Sequence, residues 1–256
     1  MLLAIDIGNS NIVIGCIDEE SVISHVFRMV TDILKTEDEY AVEMKSLLEF
    51  NGVDCGIFSG AIIASVVPPL SDVFKTAVYK LTGLTALAVG SGIKTGLNIL
   101  IDNPAELGSD MAATAVGAAA KYPLPVIIVD MGTATKISVV KETAGFVGGA
   151  ICPGVALSMD ALSRGASLLP KVQIEAPKKC ICGDTIGCMK SGAVFGAAAM
   201  VDGMLDRFET ELGAAASVVA TGGIAPRIVP YCRRKIICDD NLLLSGLKIL
   251  YDKNKK

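Results

Sequence analysis

Two stretches of the sequence place an aspartate at the end of an apolar strand and follow it with a glycine turn. The first is AIDIGNSNIVIG, residues 4–15, and the second lies within VIIVDMGTATKISVV, residues 126–140. The aligned pairs are Asp6 with Asp130, Gly8 with Gly132 and Asn9 with Thr133. A self-match separated by about half the chain indicates duplication of one supersecondary unit.

The chemistry suited to such a turn is phosphate and cation binding. Glycine permits a tight hairpin turn, and small polar residues at its tip leave backbone N–H groups able to hold phosphate oxygens. A carboxylate repels phosphate, but it can hold a cation that phosphate also needs. An ordinary hairpin with an Asx turn would explain either copy alone; two copies favour the phosphate interpretation. We therefore predict a metal at Asp6 and phosphate contacts from the turns, at Gly8, Asn9, Ser10, Asn11, Gly132, Thr133 and Thr135.

A third glycine turn follows a later apolar strand, in VVATGGIAP at residues 218–226. Gly222 and Gly223 have no side chain to block a nucleobase or ribose, so a ligand could lie flat against this backbone. A plain strand-to-helix turn is the alternative interpretation, because glycine commonly marks turns.

Composition excludes several other classes. The chain has 256 residues, 52% of them hydrophobic, so it can bury a substantial core. A net charge of −4 and a pI of about 5.1 argue against a nucleic acid or an anionic membrane as partner. No apolar run approaches the ~18 residues of a membrane span, and MLLAIDIG lacks the pattern of a signal peptide. We expect a cytoplasmic protein.

Cysteine and histidine usage leaves little room for other catalytic centres. None of the eight cysteines forms a CxxC pair, so reduced and mostly buried thiols are expected, with a metal at Cys180, Cys182 and Cys188 as the alternative. The one histidine, His25, lies in an alternating segment and is predicted to face solvent. A Ser-His-Asp or Cys-His centre is therefore not supported.

The elements repeat in the order of three strands, helix, strand, helix and strand. Thr36 and Glu39 have the spacing of a capping box, and Ser71 is a plausible N-cap for the helix that follows Pro68-Pro69. This order predicts an α/β protein with two duplicated ribonuclease-H-like domains, a nucleotide cleft between them, and a boundary dividing residues 1–115 from 116–256.

These motifs resemble those of a known family. The two Asp-Gly turns and the Thr-Gly-Gly turn are similar to those of the actin, sugar-kinase and heat-shock ATPase superfamily. More closely, the chain resembles the type III pantothenate kinases over almost its whole length. The stretches that carry this resemblance are FRMVTD, TEDEYA, ASVVPPL, NPAELGSD, VDMGTATK, GGAICPGVALSMDALSRGASLLP, MKSGAVFG and TGG.

The resemblance implies ATP-dependent phosphorylation of pantothenate, the first step toward coenzyme A. It implies Mg²⁺, a monovalent cation (K⁺ or NH₄⁺) and a homodimer. By position, Asp110 is the general base, Asp6 orients Mg²⁺, and Asp130 lies at the monovalent-cation site. Asn9, Ser10 and Thr133 contact phosphates, and Gly222 and Gly223 border the adenosine. The substrate side comprises Ile101, Gly108, Ser109, Met111 and, from the partner subunit, Thr185.

Several residues depart from the family pattern. Met111 stands where the family has an arginine, Ile101 where an aromatic residue is common, and Lys190 and Asp184 replace a glutamine and an asparagine. Most departures fall on the acceptor side or near the cation. They leave open a kinase for another small hydroxyl compound, or a nucleotide-binding regulatory homologue with little turnover.

Lys136 is a further departure, because the family has a short hydroxyl residue there. An ammonium group at this position could neutralise Asp130 or a phosphate oxygen, as a monovalent cation would. Alternatively, Lys136 points away from the strand and is solvated, as most lysines are.

Overall fold

The computed structural model describes residues 1–143 and 145–255, and the chain forms two compact units within them. The second unit comprises Asn98–Ile101 and Lys121–Asp240. The first unit comprises Met1–Leu97, Asp102–Ala120 and the C-terminal segment from Asn241 onward. The single boundary predicted after residue 115 differs from this division, chiefly because the C-terminal segment returns to the first unit.

The first unit is built on a five-stranded sheet in the order β3-β2-β1-β4-β5. β1 is antiparallel to β2 and parallel to β4. Both faces of β1 are buried, as its run of apolar residues predicts. The strands are β1 Leu2–Ile7, β2 Asn11–Ile17, β3 Ile23–Val30, β4 Gly60–Ser65 and β5 Leu87–Ala88.

The second unit repeats this arrangement. Its six-stranded sheet has the order β11-β10-β7-β8-β9-β6, so β7 to β11 occupy the places of β1 to β5 and β6 is an added edge strand. An irregularity in register falls near the end of the second strand in both copies, after Cys16 and after Val139. The predicted duplication of a ribonuclease-H-like module is confirmed. The strands are β6 Asn98–Ile99, β7 Val126–Met131, β8 Ala134–Val140, β9 Gly145–Pro153, β10 Ser217–Thr221 and β11 Ile237–Cys238.

Eight α-helices and several shorter helical segments connect the strands within the described residues. The α-helices are α1 Glu37–Phe50, α2 Pro68–Thr82, α3 Ser109–Lys121, α4 Val155–Gly165, α5 Thr185–Ser191, α6 Ala197–Leu212, α7 Ala225–Ile228 and α8 Leu242–Asn254. A π-helical segment, Gly192–Gly196, joins α5 to α6, and 3-10 helices span Cys55–Ile57, Pro104–Glu106 and Val229–Tyr231. No helix in the described part of the chain has the length and apolarity of a membrane span.

The first two helices test the predicted caps. The Thr36 hydroxyl accepts from the Glu39 N–H and the Glu39 carboxylate accepts from the Thr36 N–H, so the capping box is confirmed. The cap predicted at Ser71 is wrong, because α2 already begins at Pro68 with Val67 as N-cap. Proline suits the first turn of a helix, where no intrahelical partner for its missing N–H is needed.

The C-terminal helix α8 belongs to the first unit. It packs against α3, where glycines allow the two backbones to approach closely. A Cβ on Gly117 would lie 2.4 Å from the Leu242 carbonyl oxygen, and one on Gly246 would lie 1.8 Å from the Ala113 carbonyl oxygen. Neither position can carry a side chain without moving a helix.

His25 does not face solvent as predicted. It is half-buried on the same side of β3 as Phe27, and the two rings stack with centroids 5.9 Å apart. The alternation of β3 was correct in period, but this face packs against the core.

Candidate functional site

The first aspartate–glycine turn connects β1 to β2. The Gly8 N–H donates to the Asn11 carbonyl oxygen at 3.1 Å, which closes a turn whose tip residues Asn9 and Ser10 are exposed. Asp6 lies one residue before the end of β1, and its cross-strand neighbour Val13 brings no charge. The turn thus offers exposed backbone and amide groups beside a carboxylate.

Asp6 suits a hard divalent cation. One of its carboxylate oxygens, Oδ1, is buried from solvent, while the residue as a whole is half-buried. Oxygen ligands from carboxylates are those that Mg²⁺ prefers, and its remaining ligands are commonly water and phosphate oxygens. The donor set at this strand end therefore fits Mg²⁺.

The segment that carries Asp110 is tied to the same edge of the first sheet. The buried hydroxyl of Ser109 donates to the Ser65 carbonyl oxygen and accepts from the Ser65 N–H, both at 2.9 Å. Ser65 ends β4 and pairs with Ile7 of β1, the residue after Asp6. The structure thus brings Asp6 and the start of α3 to neighbouring strand ends.

Asp110 lies in the first turn of α3 and is half-buried. Its Oδ1 accepts from the Met111 N–H at 2.7 Å. A Cβ on Gly108 would lie 2.7 Å from this oxygen, so only glycine leaves room for the present position of the carboxylate. Gly108 therefore acts on the orientation of Asp110, besides any contact with a substrate.

The second turn is one residue shorter than the first. The Gly132 N–H donates to the Ala134 carbonyl oxygen at 3.0 Å, and Thr133 is exposed at the tip. Thr135 is 1% exposed, and the described residues give its hydroxyl no hydrogen-bond partner. A buried hydroxyl normally has a hydrogen-bond partner, so we expect a water or a ligand atom beside it. A phosphate bound at this turn, or a water of its hydration shell, fits that place.

Lys136 is paired with Asp130 across the hairpin. The two residues are direct partners in the β7–β8 register, and Lys136 Nζ lies 2.7 Å from Asp130 Oδ2. Their side chains are 17% and 18% exposed. The interpretation in which Lys136 points outward and is solvated is therefore wrong.

The Thr-Gly-Gly turn lies beside the second aspartate turn. β10 is parallel to β7 with Thr221 opposite Asp130, and the Ile224 N–H donates to the Met131 carbonyl oxygen at 3.2 Å. Gly222 has φ +93°, and a Cβ there would lie 2.6 Å from that same oxygen. Gly222 is thus required by internal packing, whereas the exposed Gly223 faces open space and can meet a ligand.

Thr185 is exposed at the start of α5, a helix that is not expected from the sequence pattern. The Asp184 side chain caps this helix by accepting from the Gly187 N–H at 2.8 Å. Thr185 also borders a cavity of about 900 Å³ in the second unit, whose lining is mostly apolar. The capping pattern of Asp184 was the sequence signal that could have located α5.

Ile101 and Lys190, two further departures from the family pattern, make contacts within the second unit. Ile101 belongs to the second unit and lies beside Gly148, 3.6 Å from where a Cβ would stand. Lys190 forms an ion pair with Glu175, and this hydrogen bond holds the pKa of Glu175 below its usual value. The charge of Lys190 is therefore paired with a carboxylate of the second unit.

The thiols are less buried than predicted. Only Cys16 is buried, while Cys180, Cys188 and Cys238 are exposed. Cys182 lies near Cys188, whose Sγ is 3.4 Å from the Cys182 carbonyl oxygen, and burial raises the pKa of the Cys182 thiol. Among the described residues, no group of three or more His, Cys, Asp or Glu side chains could hold a metal ion.

Two ribonuclease-H-like units, each with an aspartate–glycine hairpin turn, define the fold class of the actin and sugar-kinase superfamily. The chain is similar in fold to a ROK family glucokinase from Streptomyces griseus, solved in complex with glucose and AMPPNP. The TM-score is 0.50, with 15% sequence identity over 98% of each chain.

A family model described as type III pantothenate kinase matches residues 2–207. The chain is 42% identical to a type III pantothenate kinase of Pelobacter propionicus over the full length of both proteins. It is 39% identical to one of Halalkalibacterium halodurans, covering 99% of this chain and 100% of that protein. The chain belongs to the type III pantothenate kinase family.

Proposed function

We propose that this protein transfers a phosphoryl group from ATP to the primary hydroxyl of pantothenate, the first step of coenzyme A synthesis in the cytoplasm. The observation that carries the proposal is the attachment of the start of α3, which carries Asp110, to the end of β4, next to the end of β1 that carries Asp6. A cation ligand and a candidate base are the two groups that this reaction needs from side chains, because phosphoryl transfer depends mainly on positioning and charge neutralisation.

Asp110 is the proposed general base. Its carboxylate would accept the proton of the attacking hydroxyl, which a positioned base can accelerate by ~10²–10⁴-fold. Ser109 fixes the start of α3 to β4, and the Met111 N–H donates to the Asp110 carboxylate at 2.7 Å, so the base is held by its neighbours. Met111 and Ile101 complete the proposed acceptor side without adding charge.

The nucleotide side rests on the three glycine turns. Backbone and side-chain groups of Gly8 to Asn11, of Gly132, Thr133 and Thr135, and of Gly223 would contact ATP, whereas Gly222 supports the third turn from beneath. Mg²⁺, when bound at Asp6, would neutralise phosphate charge.

A separate monovalent cation fits this chain less well. The family resemblance implies such a cation near Asp130, but Lys136 already places a positive charge 2.7 Å from that carboxylate. We expect the ammonium group to supply the charge that K⁺ or NH₄⁺ would otherwise bring.

We further propose a homodimer in which Thr185 reaches the acceptor site of the partner subunit. Support comes from the exposed apolar side chains around α4 and α5, among them Leu168 and Ile181, which are both 89% exposed. Exposed apolar side chains that are grouped in one patch are typical of an interaction surface. Sedimentation analysis would reveal the dimer, and a monomer with full activity would contradict this part of the proposal.

The function is tested by measuring ATP consumption with and without pantothenate and by identifying the phosphorylated product. We expect ADP release that depends on pantothenate. Release that depends instead on another small alcohol would indicate a different substrate, as the replacement of arginine by Met111 allows. Binding of ATP without release would indicate a regulatory homologue.

A further inference from the structure

Two stretches that carry the family resemblance, FRMVTD and TEDEYA, have no role in the proposed reaction. Both lie in the first unit, at the end of β3 and the start of α1. Their contacts lead to the first glycine turn. We propose that Thr31 is a positioning residue of the nucleotide site, which orients the Gly8–Asn9 peptide so that its N–H can face a phosphate. This inference rests on the proposed use of ATP.

Thr31 holds the turn at two points. Its hydroxyl donates to the Gly8 carbonyl oxygen at 2.7 Å, and its backbone N–H donates to the Ser10 carbonyl oxygen at 3.2 Å. Thr31 follows β3 directly, and β3 pairs with β2 up to the pair of Val30 with Asn11. The side chain is therefore delivered to the turn by the sheet itself.

The direction of a carbonyl fixes the direction of the next N–H. In a planar trans peptide the C=O and N–H groups point in opposite directions, and the only cis peptide bond of the described residues is Leu124–Pro125. Because the Gly8 carbonyl points to Thr31, the Asn9 N–H points away from it. Carbonyl oxygens would repel a phosphate, whereas N–H groups attract it, so this orientation favours anion binding.

Thr31 is in turn fixed from the core. Tyr40 is fully buried, and its hydroxyl accepts from the Asp32 N–H at 2.9 Å and donates to the Asp32 carbonyl oxygen at 2.8 Å. Its ring lies against Phe74, with centroids 4.5 Å apart. Asp32 follows Thr31, so a buried ring on α1 holds the backbone that presents the threonine.

The second unit holds its turn from the corresponding place. Gly154, which follows β9, donates its N–H to the Thr133 carbonyl oxygen at 3.1 Å. A Cβ on Gly154 would lie 2.3 Å from that oxygen. The residue after the third strand of each module therefore donates its backbone N–H to the turn in both copies, and Thr31 adds a side-chain hydrogen bond that Gly154 cannot make.

The experiment compares Thr31→Val, which removes the hydroxyl at nearly constant volume, with Thr31→Ser, which keeps it. Tyr40→Phe removes the support of Asp32. The matched control is Thr82→Val, because the Thr82 hydroxyl also donates to a backbone carbonyl, that of Val78, at 2.8 Å in the same unit. Each variant is measured for thermal unfolding, for calorimetric binding of a non-hydrolysable ATP analogue with Mg²⁺, and for KM and kcat.

We expect Thr31→Val to weaken analogue binding and to raise the KM for ATP, each by about five- to tenfold, because one hydrogen bond is lost. The KM for pantothenate should stay unchanged. Thr31→Ser should restore both values, and Tyr40→Phe should change them in the same direction as Thr31→Val. Unchanged binding in Thr31→Val, no recovery in Thr31→Ser, or an equal loss in Thr82→Val would overturn the inference. If the unmodified protein binds the analogue but does not phosphorylate pantothenate, the proposed function fails, and the binding measurements still decide the role of Thr31.

Discussion

Lys136 and Asp130 face each other across the second glycine hairpin, with Nζ 2.7 Å from Oδ2. The corresponding position in the first hairpin, opposite Asp6, is Val13. The duplicated turns have therefore diverged in charge. Asp6 has an apolar cross-strand neighbour, whereas Asp130 forms a largely buried ion pair with its cross-strand lysine.

This difference predicts how the enzyme responds to monovalent cations. We expect pantothenate-dependent activity to be unchanged when K⁺ is replaced by a bulky organic cation, because the Lys136 ammonium already neutralises Asp130. Lys136→Thr should lower activity and make it dependent on K⁺. Lys248→Gln is the matched control, since it removes another largely buried lysine that is paired with a carboxylate, Asp252. Strong activation of the unmodified protein by K⁺ would contradict the prediction.

Asp110→Asn tests the proposed base. The amide keeps the size of the side chain but cannot accept the hydroxyl proton, so kcat should fall by about 10²–10⁴-fold. Calorimetric binding of ATP should be retained. Asp72→Asn, at a carboxylate that is 93% exposed, is the control for a simple loss of charge. Turnover close to that of the unmodified protein would remove Asp110 from the mechanism.

Met111→Arg tests the departure on the acceptor side. A charge-assisted hydrogen bond contributes roughly 1.5–3 kcal/mol, so restoring arginine should lower the KM for pantothenate by about 10–100-fold. Met111→Leu, which stays apolar, should leave that constant unchanged. A raised KM in the arginine variant would show that the pocket is built for another acceptor.

The pH dependence of stability provides a test of the second unit. Arg234 donates two hydrogen bonds to Glu209, at 2.7 and 2.8 Å, and this contact lowers the pKa of the carboxyl group. Its contribution is therefore present above the unfolded pKa of about 4.3 and is lost as the pH falls through the folded value.

Glu209→Gln should consequently flatten the acid side of the stability profile, measured as the urea midpoint between neutral and acid pH. Glu211→Gln, on the same helix, should keep the slope of the unmodified protein. An identical acid slope in Glu209→Gln would show that the ion pair contributes nothing.

The repeated turns could be predicted from sequence because their chemistry is local. An apolar strand, an aspartate and a glycine turn occupy a few consecutive residues, and Asp6 and Asp130 reveal the duplication by simple alignment. The capping box of Thr36 and Glu39 is local in the same sense. Asp110 and Thr185 were predicted as site residues only from their positions in the family motifs.

Relationships between distant residues required the tertiary structure. The approach of α3 to α8 places the C-terminal helix in the first unit, and nothing in the local pattern of Gly117 or Gly246 indicates which helix each will meet. The role of Gly222 likewise depends on Met131, which lies on another strand.

The register of the β7–β8 hairpin determines which residue pairs with Asp130. The amino-acid order places Lys136 after the second glycine turn, but a lysine on a strand can face either side. The turn after Asp130 is one residue shorter than the turn after Asp6, so Lys136 and not its neighbour becomes the cross-strand partner. Side chains alternate along a strand, and a shift of one residue exchanges the two faces. Pairing of the folded hairpin therefore determined which charge stands beside Asp130.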